Sequence, residues 1–195
     1  MDELESSMQI EAAEPSGRLR VTAPTLYGRV HLQPLLAKFL VLHPNVTLDL
    51  HLIDRPVNLL EEGIDLAVLV GEQPSSSLVA RRLGSIRWVL SAAPDYLARH
   101  GVPASLQDLL QHDGLVYSHL ATEEMWTLME KGKPTTVRMR TRMRSNTVDG
   151  VVAAAAAGAG IVYAPAWAIA EHVAAGRLLP LLSETETPPR PVIAL

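Results

Sequence analysis

The chain has 195 residues, 48% of them apolar and 19% charged, with a formal net charge of −4. That length buries a proper core as one domain or two small lobes, and the composition is that of a globular protein rather than a disordered or membrane one. Cysteine is absent, which excludes disulfide frameworks and thiolate zinc sites.

The opening stretch, residues 1–15, is acidic and has no long apolar run, so it reads as no signal peptide, and no later stretch is apolar for long enough to span a bilayer. A cytoplasmic location is the expectation. Asp2, Glu3, Glu5, Glu11 and Glu14 precede Gly17 with no basic residue among them, so the remaining chain sums to about +1. A near-neutral body does not suit a protein whose main partner is a phosphate backbone.

Residues 1–13 read as a short helical remnant of a linker that ends by residue 16, where Pro15-Ser16-Gly17 punctuates the chain. Leu19–Ala23 reads as a strand broken by Pro24. Thr25 can cap a helix to about His43, whose residues Leu26, Val30, Leu35, Leu36, Phe39, Leu40 and Leu42 form a wide core face. Val46–Leu52 alternates as a half-buried strand, Val57–Glu62 reads as a short helix, and Ile64–Val70 as a strand buried on both faces. Strand, helix, strand, helix, strand predicts a parallel sheet with crossover helices. Residues 71–77 form a loop and 78–92 a strand-rich region. Short helices follow at 93–101 and 106–111, and a strand at Leu115–Ser118. Glu123–Glu130 reads as helical, Val137–Arg144 as an alternating strand, and Asp149–Ala159 as an alanine-rich helix. Ile161–Tyr163, Leu178–Leu182 and Pro191–Leu195 are strands, with a helix over Ala166–Ala175. Helical patterning at the start and an apolar strand at the finish predict a fragment cut at both ends.

Two turns, Thr22-Ala23-Pro24-Thr25 and Arg144-Ser145-Asn146-Thr147, lead from a strand into a helix N-terminus. Unpaired N–H groups there attract anions, although Thr25 or Asn146 taken singly is explained as an ordinary cap. Both turns fall at the carboxyl ends of strands, where open α/β sheets place ligands. Arg138, Arg140, Arg142 and Arg144 share one face of a strand, which fits an edge kept soluble by charge; Arg144 is the exception, beside the second turn. The glycines after the alanine helix come too late to cradle a phosphate and read as its terminator. The 7 histidines show no metal-ligand spacing, and His119 reads as surface rather than cleft. No nucleophile elbow and no acid–base pair is visible, so no catalytic residue, metal or cofactor is expected.

Gly17–Pro24, Leu35–Phe39 with His43-Pro44, Gly63–Val68 with Gly71, Leu78–Gly84, Ala92–Leu97, Ser145-Asn146, and Ala157–Ile161 with Pro165 stand in the order found in one family. Together they resemble the effector-binding domain of LysR-type transcriptional regulators, from about Gly17 to Leu195. The resemblance implies a periplasmic-binding-protein type II fold: two Rossmann-like α/β lobes with mixed, mostly parallel sheets joined by two crossover strands. The first lobe would take 17–90 and 190–195, lacking a C-terminal helix, and the second 91–189. An effector would sit between them, touching Ala23, Pro24, Thr25, Val70, Gly71, Ser118, Ser145, Asn146 and Thr147. Arg144 and the helix ends favour an anion, whereas Tyr27, Tyr117, Trp126 and Tyr163 would suit an aromatic molecule. The resemblance further implies a homodimer or tetramer, DNA contact only through an N-terminal winged helix-turn-helix outside this chain, and no membrane contact. Effector binding would shift the population of lobe arrangements. The rival readings are a solute-binding protein for uptake and a small transferase-type enzyme on the same scaffold.

Overall fold

Parallel neighbours flank strand β1 (Gly17–Ala23) on both edges, so its last residues, Val21, Thr22 and Ala23, are fully buried. The computed structural model describes residues 14–71, 79–119 and 125–195; the helical remnant at 1–13 and the loop beyond Gly71 lie outside them. After β1 the chain runs through α1 (Thr25–Tyr27), a π-helical turn (Gly28–Leu32) and α2 (Gln33–Leu42) as one continuous helical stretch. The wide turn stands directly ahead of Pro34, whose ring would clash with the Val30 carbonyl in a regular helix. The expected core face is narrower than its pattern: Leu36 is buried, but Leu35 and Leu42 stay 62% and 73% exposed.

β2 (Val46–Leu52) pairs with β1 in parallel along its whole length. The helix expected over Val57–Glu62 is instead a run of turns, with the Glu62 N–H on the Asn58 carbonyl (3.0 Å) and the Ile64 N–H on that of Leu59 (2.9 Å). So few residues cannot sustain a helix, and Gly63, at φ +62°, turns the chain at once into β3 (Leu66–Val70). β4 (Arg81–Ile86) follows, and Arg87 separates it from β5 (Trp88–Ala92), every residue of which is buried. Next come α3 (Pro94–His100), a 3-10 turn (Asp108–Gln111) and β6 (Asp113–Tyr117).

β7 (Met125–Glu130) and β8 (Lys133–Arg138) form a hairpin, which overturns the helical reading of Glu123–Glu130. Trp126 and Leu128, two residues apart, share the buried face, and Lys131-Gly132, both at positive φ, make the tight turn that antiparallel strands require. The strand expected over Val137–Arg144 is likewise two strands. Met139, 2% exposed, separates β8 from β9 (Arg140–Ser145), which pairs with β6. α4 (Val148–Ala156), β10 (Ile161–Pro165), α5 (Ala166–Ala174), β11 (Leu179–Leu181) and a 3-10 turn (Ser183–Thr185) lead to β12 (Arg190–Ala194).

Two five-stranded sheets result, ordered β2-β1-β3-β12-β4 and β11-β5-β10-β6-β9. Both are mixed: β12 runs antiparallel to β3 and β4, and β10 is parallel to β6 but antiparallel to β5. The chain passes between them at Arg87 and again between β11 and β12, so residues 88–90 sit in the second sheet. α4 and α5 cover one face of that sheet, packing Val151, Val152, Ala155 and Ile169 against Val89, Leu115 and Val162. Tyr96, Leu109, Trp126 and Leu128 line a core that continues to Val68 and Val192 of the first sheet.

The edge strand β9 is pinned by a buried charge. Asp113, 6% exposed, accepts hydrogen bonds from Arg140 (2.8 Å) and Arg142 (3.0 Å), which gives two of the four aligned arginines a structural partner. Burial pushes the Asp113 carboxyl up, but the bonds from Arg142 and Arg140 outweigh it and hold its pKa below the ordinary value. A carboxyl depressed in the folded state adds stability above its unfolded pKa of about 3.9, and loses it as pH falls through the folded value. In acid titrations of the urea midpoint, Asp113→Asn should therefore flatten the limb below that pH. Just ahead of the neighbouring strand β10, a Cβ at Gly160 would stand 2.5 Å from the Asp113 carbonyl oxygen. Gly160→Ala should cost about 1–3 kcal/mol in urea unfolding, and an unchanged midpoint would show that the strands can part at that point.

Candidate functional site

Parallel strands release their chains at the carboxyl end, and here those ends surround one cavity of about 370 Å³ between the two sheets. Pro24, Leu26 and Tyr27 follow β1, Ile53 to Val57 follow β2, and Leu69 and Val70 finish β3. From the other side come Tyr117 and His119 at the end of β6, Val148 beyond β9, and Pro165 and Trp167 at the end of β10. Ile86, Trp88 and Arg190 enter from the two passages between the sheets. The walls are mostly apolar or aromatic, with a few placed polar groups, as is usual for a site that holds a small organic molecule.

Each polar group has a distinct state. Asp54 takes the Thr25 N–H on Oδ1 at 2.9 Å, so a side chain from the β2 loop occupies the start of the helical stretch. Thr25 is accordingly the first helical residue rather than the cap, and Pro24 stands in the cap position with no side-chain bond to offer. Burial, and then the Asp54 charge, push the Tyr117 hydroxyl above its ordinary pKa. Asp54 thus belongs to the first sheet's side of the cavity and Tyr117 to the second. Arg55 pairs with Glu62 at 3.0 Å. Arg190 lies with its guanidinium 5.3 Å from the centre of the Trp88 ring.

Contacts also bridge the cleft rim. Arg29 in the π-helical turn pairs with Asp149 in α4 at 3.0 Å, both side chains being substantially exposed. Burial raises the Asp149 carboxyl, but Thr147 and Arg29 together hold it below the ordinary range. Trp167 of α5 meets His31 edge-on at 4.5 Å and Tyr27 at 6.1 Å, ring centre to ring centre.

Of the residues expected from the sequence, Pro24, Tyr27 and Val70 line the cavity. Ala23 is buried at the end of β1, and the Gly71 N–H bonds the Pro191 carbonyl at 2.9 Å. Ser118 donates to the Ser145 carbonyl from both its N–H and its hydroxyl, at 2.8 Å each. The helix cap is Thr147, whose Oγ1 accepts the Gly150 N–H at 3.3 Å, and not Asn146. Arg144 lies in β9, and Tyr163 is buried with its hydroxyl 2.9 Å from Thr187 Oγ1. Neither is among the lining residues. His119, read as surface, lines the cavity, as do Asp54, Trp88, Trp167 and Arg190, which motif reading passed over. Asp54 and His119 follow strand ends, a signal present in the sequence. Arg190 and Trp88 had none, because their juxtaposition depends on two distant passages of chain. Among the described residues no group of three or more His, Asp or Glu could hold a metal ion.

A model of the LysR substrate binding domain matches residues 12–195. The chain is 33% identical over 184 residues to the uncharacterized HTH-type transcriptional regulator YhjC of Escherichia coli, covering 93% of this chain and 62% of that protein. It is 34% identical over 184 residues to the HTH-type transcriptional regulator PtxR of Pseudomonas aeruginosa, covering 93% and 58%. Among solved structures, the regulatory domain of CrgA, a LysR-type transcriptional regulator from Neisseria meningitidis, matches with a TM-score of 0.79 at 29% identity over 92% of this chain and 88% of that one. The full-length Vibrio cholerae virulence activator AphB matches with a TM-score of 0.81 at 28% identity, over 95% and 63%. The chain therefore spans about three fifths of the length of the curated relatives it matches.

Removing the Asp54 carboxylate leaves the Thr25 N–H without its acceptor. Asp54→Ala should lower the unfolding free energy by about 1–3 kcal/mol, and should bring the Tyr117 titration, followed by ultraviolet absorbance, to lower pH. A Tyr117 titration that does not move would show that burial alone sets it.

Proposed function

The chain belongs to the family of LysR substrate binding domains, and from that premise we propose that its cavity holds a small-molecule effector whose presence biases the arrangement of the two lobes. As an effector-binding domain of LysR-type transcriptional regulators, it is similar to proteins named as regulators and not as enzymes. The observation that carries the reading is the convergence of strand ends from both sheets on one largely apolar cavity.

The lobes follow the sheets. One holds residues 17–86 with 190–195, the other residues 88–189, and residues 1–16 are the end of a linker. Pro24, Tyr27 and Val70 touch the effector directly. Ser118, Ser145, Asn146 and Thr147 neighbour the lining residues Tyr117, His119 and Val148 in the chain, and close on the effector when the lobes approach. Only a ligand that binds one arrangement better than another shifts their balance. The rim contacts Arg29–Asp149 and Tyr27–His31–Trp167 join the two lobes and are the interactions such a shift would remake. In the whole protein, cytoplasmic in this reading, the change passes through a dimer or tetramer to a winged helix-turn-helix on DNA.

The test is a thermal-shift screen of small carboxylates and aromatic compounds. A true effector at a hundred times its dissociation constant should stabilise the chain by about 2.7 kcal/mol. Val70→Trp, which fills the cavity, should abolish that stabilisation. A compound that stabilises the filled variant equally binds elsewhere, and would sink the cavity as the effector site.

A further inference from the structure

The cavity's charged groups are not equally available. Asp54 already holds the Thr25 N–H and lies beside the Tyr117 hydroxyl. Arg55 is matched by Glu62 at 3.0 Å. Glu186, four residues before Arg190, is taken by Arg87 at 3.1 and 3.3 Å. Among the described residues Arg190 has no carboxylate partner; its guanidinium rests over the Trp88 ring and bonds the buried Tyr163 hydroxyl, which is neutral. One positive charge is left over, in a cavity whose other walls include Ile53, Leu69, Val70 and Trp167.

A guanidinium held against an aromatic face is oriented in advance, and it is the side chain best shaped for a carboxylate, which it can meet with two parallel hydrogen bonds. One cation is in excess, and the cavity's own carboxylate is engaged. That imbalance calls for a ligand that brings acceptors and a single negative charge. A second carboxylate on the ligand would find no further unpaired arginine or lysine among the described lining residues and would share the cavity with Asp54. The apolar and aromatic walls ask for a flat apolar body behind the acid group.

Resting on the reading of the cavity as an effector site, we propose that the effector is a small aromatic monocarboxylic acid whose carboxylate is bound by Arg190 over Trp88. Arg190 then acts as the charge-selecting residue of the site. Because β12 carries it back into the first sheet beside one of the two passages between the lobes, ligand charge is read where the lobes are joined.

The experiment is calorimetric titration of the chain with four probes: benzoate, benzyl alcohol, acetate and phthalate. Benzoate should bind more tightly than benzyl alcohol (ring without charge), acetate (charge without ring) and phthalate (two charges). Arg190→Gln should weaken benzoate by about tenfold or more while leaving benzyl alcohol unchanged, and Arg190→Lys should restore part of the loss. Benzyl alcohol binding as tightly as benzoate, acetate matching it, or benzoate silent throughout the millimolar range overturns the proposal. So does benzoate binding unaltered by Arg190→Gln. If that variant fails to fold, the order of the four probes on the unaltered chain still decides. Val70→Trp separates the two levels: benzoate binding that survives the filled cavity sinks the effector site itself. Binding lost in Val70→Trp but kept in Arg190→Gln sinks only the charge assignment.

Discussion

Two sheets that each run strands in parallel must release chain at the carboxyl ends of those strands, and in this molecule both sets of ends face the same space. The chain connects the sheets twice, at Arg87 and between β11 and β12, so neither sheet is an independent unit. Everything of functional interest follows from that geometry. The cavity exists because the carboxyl ends of β1, β2 and β3 approach those of β6, β9 and β10. Its polar groups are few because each comes from a loop or the terminal residue of a strand, while the strand interiors are committed to the core.

The same constraint divides the contacts within each lobe from those that close the cleft. Each lobe is held internally by its own burial: Val151, Val152 and Ile169 beneath the second sheet, Val21, Ala67 and Val68 in the first. Between the lobes a buried apolar core runs from Trp88 and Tyr163 to Ile86, Val68 and Val192, and other contacts close the cleft. They are an ion pair with both partners substantially exposed, an edge-to-face aromatic group, and the approach of Asp54 to Tyr117. Exposed ion pairs contribute at most about 1 kcal/mol, so a ligand of ordinary affinity can outweigh them. Packing holds each lobe and the seam between them, while weak polar and aromatic contacts close the cleft rim.

Much of the fold was legible because period and punctuation agree locally. β1, β2 and β3 alternate or run apolar between proline and glycine breaks, and α4 and α5 sit where their apolar spacing puts them. The hairpin β7–β8 was misread because Met125, Trp126, Leu128 and Met129 also fit a helical spacing. Only Lys131-Gly132 announces the turn, and that pair is a weaker signal than Asn-Gly. The run of arginines at 138–144 looked like one strand because alternation continues across Met139, although the backbone changes partners there. Thr147 rather than Asn146 caps α4, a shift of one residue that composition cannot resolve. The site was legible in part: Pro24 lay in a turn at a strand end, Val70 was implied by the family resemblance, and Tyr27 by its aromatic ring. Arg190, Trp88 and Trp167 did not, since they meet only when chain segments far apart in sequence pass side by side.

The central claim is that the space enclosed by those strand ends is where this domain meets its ligand. Nitrogen-resolved NMR of the labelled chain, titrated with any small compound that stabilises it, tests that claim residue by residue. The account predicts amide shifts gathered at 25–27, 53–55, 57, 117–119, 148, 166–167 and 190, drawn from both sheets at once. Shifts confined to the exposed apolar flank of α2, or spread over one lobe while the other stays silent, would contradict it.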